Sequence, residues 1–294
     1  MSTSKFVLVT GATGQQGGGV VDALLAKGHR VRGITRNVNS DKARGLADRG
    51  VEVVAGDFTN HESLVSAASG VDAIYAMTTP FEKGMDAETA QGVAMINAAK
   101  EAGVGHFVYS SVGDANKATG IPHFDSKYEV EKVLEESGIP YSISAPVYFM
   151  DNLVSPWTLP GVIQGTISAA MPGDRKLQQV AVADIGKFAV ALIERGERVF
   201  GQRFDIAGDE LTGNEMVNIL SGILGREINY QGFPVEGLKA QNEDMGLMYE
   251  WFDTTGYSAN IASLKNEFPD VGWLDFKSWA SALNWDALLE AKPA

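Results

Sequence analysis

No cysteine occurs among the 294 residues of this chain. That one absence excludes disulfides, thiol nucleophiles and zinc–thiolate centres together. Histidine is scarce as well, and the four present, His29, His61, His106 and His123, are spaced too widely for a helical two-histidine metal motif. No metal site is expected. Basic residues are outnumbered, 24 Lys and Arg against 37 Asp and Glu, which leaves a formal charge of −13 and no cationic footprint for nucleic acid. Direct nucleic-acid binding is therefore not expected, and any link to transcription would run through a regulatory protein partner. No apolar run reaches the length of a membrane span, and the opening MSTSKF carries no apolar signal region. The expectation is a soluble, cytoplasmic protein with no membrane contact. Fixed-period repeats and low-complexity tracts are also missing.

What is present begins at Phe6, where FVLVTGATGQQGGGVV runs from an apolar stretch into glycines and back to apolar residues. A strand to Thr10 followed by Gly11, Gly14 and Gly17 brings backbone against a dinucleotide. Gly11 allows the tight turn, Gly14 leaves no Cβ facing the pyrophosphate, and Gly17 lets the next helix lie close on the strand. The first-turn amides of that helix, at its positive dipole end, then face phosphate. Three glycines alone are a weak signal, but here an amphipathic segment, Val20, Val21, Leu24 and Leu25, follows them up to Gly28. After a second strand at Val31 to Thr35 comes Arg36, where NAD-specific proteins carry an acid for the ribose hydroxyls. A guanidinium there pairs with a 2′-phosphate instead, which favours NADP(H).

The first half alternates strands with helical periods, the pattern of parallel βαβ units. Further strands are expected at Val51 to Ala55, Asp72 to Met77, His106 to Ser110 and Tyr141 to Ala145, with helices at Ser40 to Arg49, His61 to Ala68, Asp86 to Ala102 and Asp125 to Ser137. The fold class is α/β: a Rossmann-type doubly wound parallel sheet with a smaller, mostly helical C-terminal domain. The expected domains are 1–152, with a return segment at about 182–208, for the cofactor, and 153–181 with 209–294 for substrate or lid. Within the second part, a hairpin is expected from Ile167 to Ala170 and Leu177 to Ala181. A helix capped by Asp184 and stopped at Gly196, a strand in RFDIAG, and a helix from Leu211 with Thr212 and Glu215 as a capping box follow. The tail aromatics Trp251, Phe252, Phe268, Trp273, Trp279 and Trp285 read as core.

In an open α/β sheet the ligand lies over the carboxyl ends of the strands, so the residues after each strand are the candidates. Asp57 and Phe58 can bracket an adenine by hydrogen bond and stacking. Thr78, Thr79 and Pro80 suit ribose and phosphate. Ser110 or Ser111 ends the fifth strand, and Pro146, Val147, Tyr148 and Phe149 follow the sixth.

TGATGQQG with Arg36, GDF at 56–58, HFDSKYEVE at 123–131 and PVYFMDN at 146–152 resemble the NmrA-like family of atypical short-chain dehydrogenases/reductases, over essentially the whole chain. That resemblance implies NADP(H) binding. It assigns Gly11, Ala12, Thr13, Gly14, Gln15 and Gln16, with Arg36, to the pyrophosphate and adenosine phosphate. Asp57 and Phe58 go to the adenine, Thr78 and Thr79 to the middle of the cofactor, and Lys127, Tyr148, Phe149 and Asn152 to the nicotinamide end.

Catalytic members of the wider superfamily place a tyrosine four residues before a lysine, so that the two share a helix face. Tyr128 and Lys132 have that spacing, but Ser126 before Lys127 and Glu131 after it match the surrounding pattern in the other register. There Lys127 is the lysine, and His123 stands where the phenol would be. Preceded by Ile121-Pro122, His123 is expected on a loop entering the helix. Two functions follow. One is a binding module that takes up NADP(H) and reports redox state to a partner protein. The other is an NADPH-dependent reductase of a small apolar quinone, enone or similar carbonyl, with Lys127, His123 or water supplying the proton.

Overall fold

A computed structural model describes residues 4–290, so Met1 to Thr3 of the opening segment and the last four residues lie outside it. The first half alternates as expected. Strands Phe6–Val9 (β1), Arg30–Thr35 (β2), Glu52–Ala55 (β3), Ala73–Met77 (β4), His106–Ser110 (β5) and Tyr141–Pro146 (β6) are separated by five helices. These are Gln15–Ala26 (α1), Asp41–Asp48 (α2), His61–Ala68 (α3), Met85–Glu101 (α4) and Pro122–Glu136 (α5). Then come Tyr148–Phe149 (β7), Leu159–Ile163 (α6), Thr166–Ala169 (β8), Lys176–Val180 (β9), Val182–Arg195 (α7) and Gln202–Ile206 (β10). Asp209–Thr212 (β11), Gly213–Leu224 (α8) and Asn229–Gly232 (β12) lead into the tail helices Val235–Gln241, Glu243–Thr254, Ile261–Glu267, Phe276–Ser281 and Trp285–Glu290.

Two compact units result, and the first takes the described residues up to 118 with 122–145 and 185–205. Its seven-stranded sheet has the order β10-β6-β5-β4-β1-β2-β3, and β3, β2, β1, β4, β5 and β6 pair in parallel. The order reverses direction at β1, so the helices cover both faces of a doubly wound sheet. Leu8, Ile74, Phe107 and Ile143 from the strands meet Leu64, Met95, Val130 and Leu134 from the helices in one core. Local chemistry starts the helices: the Ser40 hydroxyl accepts from Ala43 N at 3.2 Å, and Asn60 Oδ1 from Ser63 N at 3.1 Å. A close approach sets the pairing of α4 with α5. A Cβ on Gly92 would lie 2.5 Å from both methyls of Val130, so glycine is what lets these helices meet.

The second unit comprises 119–121, 146–184 and 206 onward. It holds a three-stranded sheet, β11-β9-β7, and a two-stranded one, β12-β8. The expected hairpin does not form. β8 pairs in parallel with β12, while β9 pairs antiparallel with β11 and parallel with β7, each strand choosing a partner distant in sequence. The helix expected to start at Asp184 starts instead at Val182, and Asp184 Oδ2 accepts from Leu274 N at 2.7 Å. RFDIAG ends its strand at Ile206, and a separate strand, β11, precedes α8. The Thr212–Glu215 capping box is present, with Thr212 Oγ1 accepting from Glu215 N at 3.1 Å. Phe252, Phe268, Trp279 and Trp285 are buried and Trp251 and Trp273 half-buried, so these aromatics build the unit. Among the described residues no helix is long and apolar enough to cross a membrane, and no cluster of three or more acidic, histidine or cysteine side chains could hold a metal.

Candidate cofactor site

The glycine loop is clamped before any ligand arrives. Thr10 N donates to the Tyr75 carbonyl at 3.0 Å, and Thr10 Oγ1 both donates to the Met77 carbonyl and accepts from Met77 N, each at 2.8 Å. Gly11 then turns with φ +62°, and a Cβ there would lie 2.3 Å from Met77 Sδ. Gly14 N closes the turn on the Gly11 carbonyl at 2.9 Å. At Gly17 a Cβ would stand 2.2 Å from that same carbonyl oxygen, so the first turn of α1 rests on bare backbone. No side chain caps α1, and its leading amides have no intrahelical acceptor. Such a helix start, edged by glycine, suits an anionic diphosphate.

A cavity of about 520 Å³ opens here, within the size range of small-molecule sites. Gly11, Thr13, Gly14, Gln15, Gln16 and Gly17 line one side of it. Arg36, Asp57, Phe58, Thr78 and Thr79 also line it, as do Glu82, Lys83 and Gln91, which the sequence had not singled out. Ala12 does not reach the cavity; it is buried beneath β2, where a Cβ on Gly33 would lie 3.1 Å from its methyl. Gln16 turns inward. Its amide donates to the Tyr75 hydroxyl at 2.9 Å and to Ser110 Oγ at 2.5 Å, which couples the glycine loop to the end of β5 through Ser110 and not Ser111. Burial pushes the Tyr75 phenol up to about 12 despite these bonds.

At the β2 and β3 ends, the arrangement is ionic. The carboxyl of Asp57 is held below its ordinary value chiefly by the Thr59 amide at 2.8 Å and the Thr59 hydroxyl at 2.7 Å, with Lys83 and Arg36 adding to the pull. One oxygen is thereby committed to shaping the loop, which presents Phe58 to the cavity. Arg36 is half-exposed, and its Nη2 lies 3.1 and 2.9 Å from the two oxygens of Glu82.

Lys127 stands on α5 with its ammonium 3.1 Å from the carbonyl of cavity-lining Thr78 and 2.7 Å from Glu88. Glu88 is the residue that sequence reasoning missed. Fully buried on α4, its carboxylate also accepts from Ser126 Oγ at 2.6 Å and from Thr78 Oγ1 at 3.2 Å. Gly92 lies four residues further along α4, so the close helix approach that it permits is what carries this acid to Lys127. No sequence signal marks it, because the burial of Lys127 that calls for a counter-charge emerges only in the fold. Lys132 is differently placed, paired with Glu129 at 2.6 Å on the surface and 5.4 Å from the centre of the Tyr128 ring.

His123 lies in the first turn of α5 and not on a loop, because the helix begins at Pro122, the preferred residue for that position. Its ring is 7% exposed and meets Phe124 edge-on at 4.8 Å, with Phe81 tilted at 6.2 Å. Ser111 faces another network, donating to buried Glu131, which pairs with Arg203 at 2.9 Å. Burial raises the Glu131 carboxyl against the opposing pull of Arg203.

Tyr148, Phe149 and Asn152 belong to the second unit. Phe149 pairs with Val180 in the β7–β9 ladder. The Tyr148 phenol is hydrogen-bonded to Tyr249 and Asn152, and burial raises it. With Met150, Leu153, Met171 and Tyr230 it lines a narrow cavity of about 80 Å³.

The model of the NmrA-like family matches residues 3–280. The NAD(P)H azoreductase of Xenophilus azovorans is 31% identical over 246 residues, 82% of each chain. Photosystem II assembly factor Ycf39 of Trieres chinensis is 26% identical over 273 residues, 89% of this chain and 83% of that one. Among solved structures, NADPH-dependent quinone oxidoreductase from Escherichia coli, complexed with NADPH, superposes with a TM-score of 0.78 at 25% identity, covering 94% of this chain and 98% of that one.

Proposed function

Because this chain belongs to the NmrA-like family, we propose that it is an NADPH-dependent reductase of a small apolar quinone, enone or related carbonyl compound. The observation that carries the reading is Lys127, an ammonium fixed between Glu88 and the carbonyl of Thr78, a residue that lines the glycine-built cavity. The relatives add support, since an NAD(P)H azoreductase is similar in sequence and an NADPH-dependent quinone oxidoreductase is similar in fold. In this reading the amides of Gln15 to Gly17 hold the pyrophosphate, Arg36 the 2′-phosphate and Phe58 the adenine. Thr78 and Thr79 border the middle of the cofactor, and Lys127 holds the hydroxyls of the nicotinamide ribose. When bound, the dinucleotide supplies the hydride. The protein contributes position, and Lys127, His123 or a water delivers the proton to the acceptor oxygen.

One observation favours a second reading, a redox sensor that binds NADP(H) and signals to a protein partner. His123, packed between aromatic rings, occupies the place of the superfamily phenol, so the usual proton relay is incomplete. The two readings separate in a steady-state assay of NADPH consumption with a panel of quinones, enones and azo dyes. Turnover abolished by Lys127→Ala supports the reductase. Tight NADPH binding with no turnover on any acceptor supports the sensor.

A further inference from the structure

Arg36 has a competitor for its guanidinium. Glu82 sits on the turn after β4, closed by Gly84 N on the Pro80 carbonyl at 2.7 Å, and both of its oxygens face Arg36 Nη2 at 3.1 and 2.9 Å. Both side chains line the same cavity, along with Lys83 and Asp57. Among these the strand-end position carries a cation, and the loop across from it carries an anion.

A 2′-phosphate and the Glu82 carboxylate cannot both take the open side of one guanidinium without repelling each other. A ribose with a free 2′-hydroxyl carries no charge at that position and raises no such conflict. The geometry points to Glu82 as the residue that sets the balance between the two cofactors: it holds Arg36 away from the 2′-phosphate and keeps NADH usable. This inference rests on the NADPH reading above and assigns a specificity role within the same site. Because Arg36 and Glu82 are 59% and 51% exposed, the pair is screened and the effect is moderate.

The test is equilibrium titration of the full chain with NADPH and with NADH, followed by nicotinamide fluorescence, for the unmodified protein, Glu82→Gln, Arg36→Ala and the double variant. Glu82→Gln is expected to raise the ratio of the NADH Kd to the NADPH Kd by roughly three- to tenfold at low salt. The rise should shrink in high salt and shrink again in the Arg36→Ala background, where only the direct repulsion between Glu82 and the phosphate is left. A ratio that stays the same or falls in Glu82→Gln, or a rise undiminished by loss of Arg36, overturns the assignment. Failure of the unmodified chain to bind NADPH would overturn the reductase reading and this inference together. Arg36-dependent NADPH binding without a Glu82 effect would overturn this inference alone.

Discussion

Replacing Glu88 with alanine removes the carboxylate that holds Lys127 at 2.7 Å. The side chain of Glu88 is 0% exposed and that of Lys127 13%, so the ammonium keeps only the Thr78 carbonyl at 3.1 Å and little water. The hydroxyls of Ser126 and Thr78 also lose an acceptor that stood at 2.6 and 3.2 Å. Breaking one side of a buried pair costs about 3–5 kcal/mol, most of it from the charge left behind. The burial and the extra donors place Glu88→Ala inside that range. Glu88→Gln keeps the shape and an acceptor oxygen while losing the charge, and should cost about half as much, in line with hydrogen bonds to charged groups. Adding Lys127→Met to Glu88→Ala removes the stranded ammonium and should restore about 2 kcal/mol. Urea unfolding of the three variants, with the m-value checked for constancy, measures this. A Glu88→Ala variant within about 0.5 kcal/mol of the parent would contradict a buried Glu88–Lys127 pair of this strength, as would a double variant no more stable than Glu88→Ala alone.

Gly92→Ala should destabilise by about 1–3 kcal/mol, although alanine is the better helix former, because the new methyl meets Val130 at 2.5 Å; Val130→Ala in combination should recover most of the loss in the same unfolding assay. Gly17→Ala presses on the Gly11 carbonyl at 2.2 Å, where no side chain can yield, and should weaken NADPH binding by more than tenfold in calorimetric titration while the far-ultraviolet circular dichroism is kept. His106 carries a pH dependence. Burial, with Lys5 adding to it, pulls its ring down to about 4 from 6.5. Nε2 is satisfied by Ser142 Oγ at 2.9 Å, and Nδ1 has no partner to receive a second proton. Between those values the unfolded chain binds a proton that the folded chain refuses, so this contribution is complete above about pH 6.5 and is lost as pH falls toward 4. About 3 kcal/mol is at stake. The difference between parent and His106→Gln stability should therefore slope through that window, and a flat difference would refute it.

What was legible in the sequence is what backbone sterics demand. Gly11 and Gly17 could be read because only glycine tolerates the turn and the contact, and Arg36 because its distance from them is set by one helix and one strand. The sheet was legible for the same reason, since short parallel units leave few topologies. Strand partners in the second unit were not. A period-two pattern identifies a strand without saying what it pairs with, and β8 and β9 each lie nearer in sequence to one another than to the strands they join. Asp184 looked like a cap because acids cap helices, yet its acceptor role serves Leu274, 90 residues away. Glu88 and Glu82 were illegible for a related reason. Each is an acid in a polar stretch, and only the fold shows that one is buried against Lys127 and the other faces Arg36.

Whether the bound cofactor delivers hydride to an acceptor in this protein is read from a single turnover. Protein loaded with one equivalent of NADPH is mixed rapidly with a quinone, and the nicotinamide absorbance is followed. Rapid loss of that absorbance is expected with acceptor present, slow loss without it, and a slowing of roughly a hundredfold or more in Lys127→Ala. NADPH that remains bound and unoxidised in the presence of every quinone, enone and azo acceptor tried would contradict hydride transfer.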